Sequence, residues 1–417
     1  MITPSFGLTA TERVLPKLAL DFTTASLDSR VTFTRTTGAS NPATYVNSSG
    51  VVTTATDNEP RFDYDPVTLA CKGLLIEESR SNVATYSEQF DNAAWLKTRA
   101  TISADAVAAP DGNTTADKLV ETATTGAHSI QSATTTIASA TYTGSCYIKA
   151  GERTWALISI GVSTAGLAYF NLSTGAVGTT TGGYTASTVN MGNGWWRCII
   201  TGTIAVTSDR AMAVYTATGN GTFSYAGDGT SGIYVWGAQL EAGAFATSYI
   251  PTTSAALTRN ADVATMTGTN FSDWFNASEG SFNAAVIPRA VDLTNGNTIL
   301  SVNDNTNFNR YYAYVAAVTS VPNLQIRAAS TVYMQSTSGT ASANTLLSTC
   351  FAYKANNSAF SASGISANVD TSVTLPTVTQ FQIGAHTTAV YLNGWVQKIN
   401  YWPQRLTNNE VQAFSKG

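Results

Sequence analysis

Short β-prone runs closed by turn-forming residues recur along this chain, and that pattern points to an all-β fold. Leu18–Phe22, Arg30–Thr34, Tyr142–Lys149, Thr154–Ile160, Leu167–Asn171, Trp195–Thr201, Ala211–Thr216 and Gly232–Leu240 are such runs, bounded by Gly, Asn, Asp or Thr. In Tyr142–Lys149 the alternation sets Cys146 and Ile148 on one face and Tyr147 and Lys149 on the other. Asn193-Gly194, Asp228-Gly229 and Asn393-Gly394 are hairpin-type turn sequences. Long helical periods are absent. Asn408–Phe414 is the candidate short helix, with Asn408 as cap and Val411 and Phe414 as an i,i+3 apolar pair.

Charge is scarce: 12% of the 417 residues are Asp, Glu, Lys or Arg, against roughly 25% in an average soluble domain. Thr, Ser, Asn, Gly and Ala, interspersed with aromatics, must finish the surface instead, which suits an extracellular or particle-bound β protein. The formal net charge of −4 gives no electrostatic reason to bind nucleic acid or an anionic membrane, both of which reward clustered Lys and Arg. Met1–Ala10 has no basic flank leading into an apolar core, and no run approaches the roughly 20 apolar residues of a membrane span. The expectation is synthesis in a cytoplasm without a signal peptide and without membrane insertion. Cys71, Cys146, Cys198 and Cys350 show no CxxC spacing, and Cys146 and Cys198 read as small buried hydrophobes of a chain folded under reducing conditions.

The length exceeds one ordinary core. Residues 1–81 form a mixed segment, Pro-interrupted and unusually charged around Glu59–Arg80. Residues 82–249 have the strand content of one β-sandwich, 250–256 (Ile-Pro-Thr-Thr-Ser-Ala-Ala) read as a linker, and 257–417 as a second strand-rich region. Both later regions match the roughly 100–200 residues of a sandwich domain.

Four strings carry a resemblance. They are Leu74-Leu-Ile-Glu-Glu-Ser-Arg-Ser-Asn82 with Thr85-Tyr-Ser-Glu-Gln-Phe-Asp-Asn-Ala-Ala-Trp95, Ala109-Pro-Asp-Gly-Asn-Thr-Thr-Ala-Asp-Lys-Leu119, Asn193-Gly-Trp-Trp-Arg-Cys198, and Tyr234-Val-Trp-Gly-Ala-Gln-Leu-Glu-Ala-Gly-Ala-Phe-Ala-Thr-Ser-Tyr-Ile-Pro251. Together they resemble a recurrent module of tailed-bacteriophage or prophage structural proteins, similar to a carbohydrate-binding-module jelly roll. Glu279-Gly-Ser-Phe-Asn283, Val390-Tyr-Leu-Asn-Gly-Trp-Val-Gln-Lys-Ile-Asn-Tyr-Trp-Pro403 and Leu406-Thr-Asn-Asn-Glu-Val-Gln412 resemble a concanavalin A-like, laminin-G-like sandwich. The expected fold is therefore all-β: two successive antiparallel sandwiches, jelly roll then concanavalin A-like, after the mixed N-terminal segment.

Catalytic signatures are sparse. His128 and His386 fall in different expected domains and read as ordinary surface or turn residues. No nucleophile elbow, zinc-protease run, phosphate loop or dinucleotide fingerprint appears. Glycoside hydrolysis needs only two carboxylates about 5–9.5 Å apart, and Asp63, Asp65, Glu77 and Glu78 are the densest acidic set. Arg61, Lys72 and Arg80 among them point instead to a solvated or interdomain ion-pair face. In the last region Glu279, Asp292, Asp304 and Asp370 are isolated and mostly turn-like.

Sugar binding asks for aromatic faces and short polar groups. Trp155, Trp195, Trp196, Tyr215 and Trp236 in the first sandwich are candidate glycan contacts. Trp195 and Trp196 are adjacent in one strand and must face opposite ways. In the second sandwich Trp395 is a candidate, beside Tyr311, Tyr312, Tyr314 and Tyr333. No cofactor is required, but the jelly-roll resemblance implies a structural Ca²⁺, for which Glu88, Asp91 and Glu241 are the matching acids. The expected role is a virion component (tail or head fibre, spike or decoration protein) that binds host cell-surface polysaccharide without covalent chemistry. Its partners would be other virion proteins and its own copies, as a homo-oligomer such as a trimer. A polysaccharide-degrading enzyme and a purely architectural protein are the alternatives.

Overall fold

Period-two alternation in the sequence becomes two antiparallel β-sandwiches in a computed structural model. It describes residues 15–35, 43–133, 135–161, 166–204, 208–210, 212–329, 331–337, 339–386 and 390–417. Met1–Ala10 and Ala211 lie outside these.

In the first sandwich one sheet runs Thr185–Asn190, Trp195–Ile204, Ala140–Ala150, Gly232–Ala242, Thr114–Glu121, Ala100–Ala108. The other runs Val177–Thr180, Leu167–Asn171, Trp155–Ile160, Met212–Ala217, Ser129–Gln131, Leu96–Thr98. Cys146, Ile148, Cys198 and Ile200 point inward from the first sheet to meet Ala156, Ile158 and Val214 of the second. Tyr147 points the other way into a separate cluster with Trp195, Trp236 and Tyr249, as the alternation requires.

The second sandwich has an eight-stranded and a seven-stranded sheet. Its core joins Phe282, Phe351 and Val396 from one to Val302, Tyr311 and Phe381 from the other. The opening segment is built into it. Leu18–Asp21 and Cys71–Ile76 both pair with Gly394–Trp402, Phe62–Tyr64 pairs with Cys71–Ile76, and Thr32–Thr34 pairs with Val263–Thr267 in the opposite sheet. Leu18, Leu20, Leu74 and Ile76 are buried in that core. The hairpin of Ala43–Val46 and Val52–Ala55 reaches the first sandwich instead, where Val52 joins the Trp195 cluster. From Leu18 the chain thus runs in the second sandwich, leaves through Arg80–Asn82, builds the first, and returns through Leu257–Arg259. These two crossing strands pair with each other.

Three local expectations need correction. Asn193-Gly194, with both residues at positive φ, joins two paired strands, but Asp228-Gly229 and Asn393-Gly394 join strands that do not pair with each other. The terminal helix spans Asn408–Phe414, but its cap is Thr407 in a capping box with Glu410. Finally, His128 and His386 are buried. His128 lies between the carbonyls of Arg99 (2.7 Å) and Tyr225 (3.3 Å), while His386 packs on Tyr312 and meets Arg310 at 3.2 Å.

Candidate functional site

The charged stretch Glu59–Arg80 forms a buried ionic junction where the hairpin, the crossing strands and the second sandwich meet. Glu77 is reached by Arg61 (2.8 Å), Arg259 (2.6 Å) and Arg289 (2.8 Å). Asp262 is reached by Arg35 (2.9 Å) and, at short range, by Arg61. Glu77 also accepts from the backbone N–H and hydroxyl of Ser248, at the end of the first sandwich. Burial alone would raise the Glu77 carboxyl, but Arg259, Arg289 and Arg61 hold it well below the usual carboxylate range. These acids hold the junction together and are not disposed as an acid and base around an open substrate path.

Beside the junction lies a cleft of about 880 Å³ between the two sandwiches. Its first-sandwich side carries Tyr147 and Arg197 and the hydroxyl-rich edge strand Thr185–Asn190; Tyr45, Asp63 and Lys72 come from the opening segment, and Arg289, Asn344 and Trp395 from the second sandwich. Trp395 donates its indole N–H to Asp63 at 2.8 Å. Lys72 and Arg289 stand over its ring at 4.7 and 4.9 Å. Burial, with repulsion from Arg289, lowers the Lys72 ammonium from its usual range although Asp63 and Asp65 oppose this. Arg197 is 6% exposed and lies over the Tyr147 ring at 5.4 Å.

The six aromatic candidates do not converge. Trp195 and Trp236 are fully enclosed under the hairpin, with the Trp195 indole donating to the Ala108 carbonyl at 3.1 Å. Trp196 faces the opposite way and packs on the main core, its indole donating to Leu172 at 3.0 Å. Trp155 and Tyr215 share a small cluster on the outside of the second sheet, where Tyr215 meets Phe223 edge-on at 5.6 Å. Trp395 alone among the six lines the large cleft. A smaller cavity of about 190 Å³ is lined by Trp236, Tyr249 and Glu88. There the buried Trp236 indole N–H has no acceptor among the described residues.

The candidate calcium acids separate as well. Glu88 and Asp91 line an open acidic cleft of about 630 Å³ together with Asp105 and Asp117. Glu241 is enclosed elsewhere, its oxygens taken by Gln239 Nε2 (2.6 Å), the Thr247 N–H (2.9 Å) and the Thr247 hydroxyl (2.7 Å). All three partners are donors, and Glu241 is not in the lining of the cleft that Glu88 and Asp91 share. Among the described residues no group of three or more His, Cys, Asp or Glu could hold a metal ion, and no helix is long and apolar enough to cross a membrane.

Arg197 and Lys72 are cleft residues that reasoning on aromatics alone passes over, and Tyr147 is an aromatic it left out. The signal was present: Arg197 lies two residues beyond Trp195, on the same face of one strand.

No protein-family model matches the chain, and no curated protein does. Among solved structures, the chain is similar to the CBM40 module of the Ruminococcus gnavus IT-sialidase, bound to α2,3-sialyllactose, at 10% identity and a TM-score of 0.29, over 34% of this chain and 84% of that one. It is also similar to a point mutant of the NanB sialidase of Streptococcus pneumoniae (13% identity, TM-score 0.31, 36% of this chain and 26% of that one). A third likeness is to a pentraxin of Limulus polyphemus resembling SAP (15% identity, TM-score 0.27, 33% of this chain and 70% of that one).

Proposed function

We propose that this protein is a virion structural component that binds a host cell-surface polysaccharide, without covalent chemistry, in the cleft between its two sandwiches. The observation that carries the binding reading is the cleft itself: about 880 Å³, within the roughly 300–1,000 Å³ of ligand sites. It is lined by Thr and Ser hydroxyls and Asn amides, together with aromatic rings and cations. Sugars ask for such a surface, where ring hydroxyls pair with short polar groups and ordered water. The virion reading rests on the phage-like strings around Leu74–Trp95 and Tyr234–Pro251. Presentation in several copies would turn weak single contacts into firm adsorption.

The test is a glycan array with the purified full chain, run with and without EDTA, followed by reducing-end analysis of every polysaccharide bound. Saturable binding with the sugar left intact is expected, and Asn344→Trp, which fills the cleft, should abolish it. New reducing ends would replace this reading with the hydrolase, and silence on host-derived glycans would replace it with an architectural role. Loss of binding in EDTA alone would assign a part to a cation.

A further inference from the structure

Arg197 is a buried cation without an ion pair among the described residues. A guanidinium has five N–H donors. Here Nε and Nη2 both donate to the Ser145 hydroxyl (3.3 and 2.9 Å), and Nη1 donates to the Thr247 carbonyl (2.7 Å). Both acceptors are neutral, two N–H groups remain, and no carboxylate among the described residues forms a salt bridge with it. Burying a cation is costly unless an anion answers it.

The nearby acids are engaged elsewhere. Asp63 accepts from the Val46 N–H (2.6 Å) and the Trp395 indole (2.8 Å). Asp65 accepts from the N–H groups of Val67 (3.0 Å) and Thr68 (2.8 Å) in its own turn, and is 3.8 Å from Lys72. Glu77 and Asp262 are taken by Arg35, Arg61, Arg259 and Arg289. Glu241 reaches Arg197 only through Thr247, whose N–H and hydroxyl it accepts. Arg197 thus makes no ion pair among the described residues, and it lines the same cleft as Lys72.

From this placement we infer that the cleft selects an acidic saccharide, with the anionic group of one sugar residue, carboxylate or phosphate, seated between Arg197 and Lys72. The inference rests on the glycan-binding reading above and adds the charge of the ligand. A guanidinium is the side chain whose planar set of donors best matches the two oxygens of such a group. Lys72, already partly desolvated over Trp395, supplies a second positive charge in the lining of the same cleft. The hydroxyl-rich strand Thr185–Asn190 is left for the uncharged part of the sugar.

Isothermal titration of the full chain with glucuronate, galacturonate and glucose 6-phosphate, each set against glucose and galactose, tests this. At least one acidic sugar should bind tenfold or more tightly than its neutral counterpart. Arg197→Gln should remove at least tenfold of that affinity, and Lys72→Gln about threefold to tenfold. Lys72 is partly exposed, so its variant carries the test if Arg197→Gln fails to fold. Equal binding of acidic and neutral sugars would overturn the inference while leaving the glycan reading intact. So would array binding confined to neutral glycans, or folded variants with unchanged affinity. Silence toward every sugar and on the array would remove both.

Discussion

At the scale of single residues, burial explains both the inert and the pH-sensitive groups. Cys146, Cys198 and Cys350 are buried and free, and Cys71 is half-buried. Burial pushes the Cys146 thiol up to about 12 and raises Cys71 and Cys198 as well, so little nucleophilic thiolate exists at neutral pH. Thiol titration of the native protein should label Cys71 slowly and leave the other three untouched, and all 4 cysteines should react after denaturation. Fast labelling of three or more in the native protein would contradict this packing. His386 behaves inversely. Burial, with repulsion from Arg310, pushes it down to about 4, so the fold holds it neutral while the unfolded chain takes up a proton below about 6.5. Its contribution to stability is whole above about pH 6.5 and is lost as pH falls from there toward 4. Urea midpoints measured from pH 7.5 to 4.5 should fall with acidification, and His386→Gln should flatten that slope.

At the scale of elements, strands closed by clear turn residues follow their sequence patterns closely. Leu167–Asn171 has the bounds expected of it, and Tyr142–Lys149 extends to Ala140–Ala150 with its alternation intact. Cys71–Ile76 was less legible as a strand because Leu74, Leu75 and Ile76 are all buried, which erases the period of two. A run packed on both sides reads as a short apolar word with no stated partner. Its glycine shows how tight the packing is. Gly73 has φ +110, and a Cβ there would lie 2.2 Å from the Val396 carbonyl oxygen. Gly221 has φ +84 with nothing within 4 Å. Denaturation should therefore find Gly73→Ala costing about 2–5 kcal/mol, strain and collision together, against about 1 kcal/mol for Gly221→Ala, where only backbone strain acts. Equal costs would mean that the Gly73 backbone shifts freely.

At the scale of the molecule, sequence order conceals what space joins. Nothing in residues 18–76 announces a partner more than 300 positions away, since pairing between distant strands is fixed by backbone hydrogen bonds that any β-prone run can make. The aromatic candidates illustrate the same limit. Residue type marked Trp195 and Trp236 as stackers, but the hairpin from the opening segment covers them. The charge pattern was more informative: arginines interleaved with acids in Glu59–Arg80 foretold an ion-pair face, and it became the buried junction. That junction should couple the sandwiches. Removing one carboxylate from a buried network typically costs about 3–5 kcal/mol, because the opposing cations stay buried without it. Glu77 is answered by three arginines and by Ser248, so Glu77→Gln isolates the coupling while keeping the shape. Calorimetry should show one transition for the native sequence and two for Glu77→Gln, with the second sandwich melting apart from the first. The same uncoupling should appear in the native protein under acid. The depressed Glu77 carboxyl contributes stability above its unfolded value of about 4.3, and this is lost as pH falls through the folded value. A single transition retained in Glu77→Gln would place the coupling in the paired strands Arg80–Asn82 and Leu257–Arg259, with the ions as passengers.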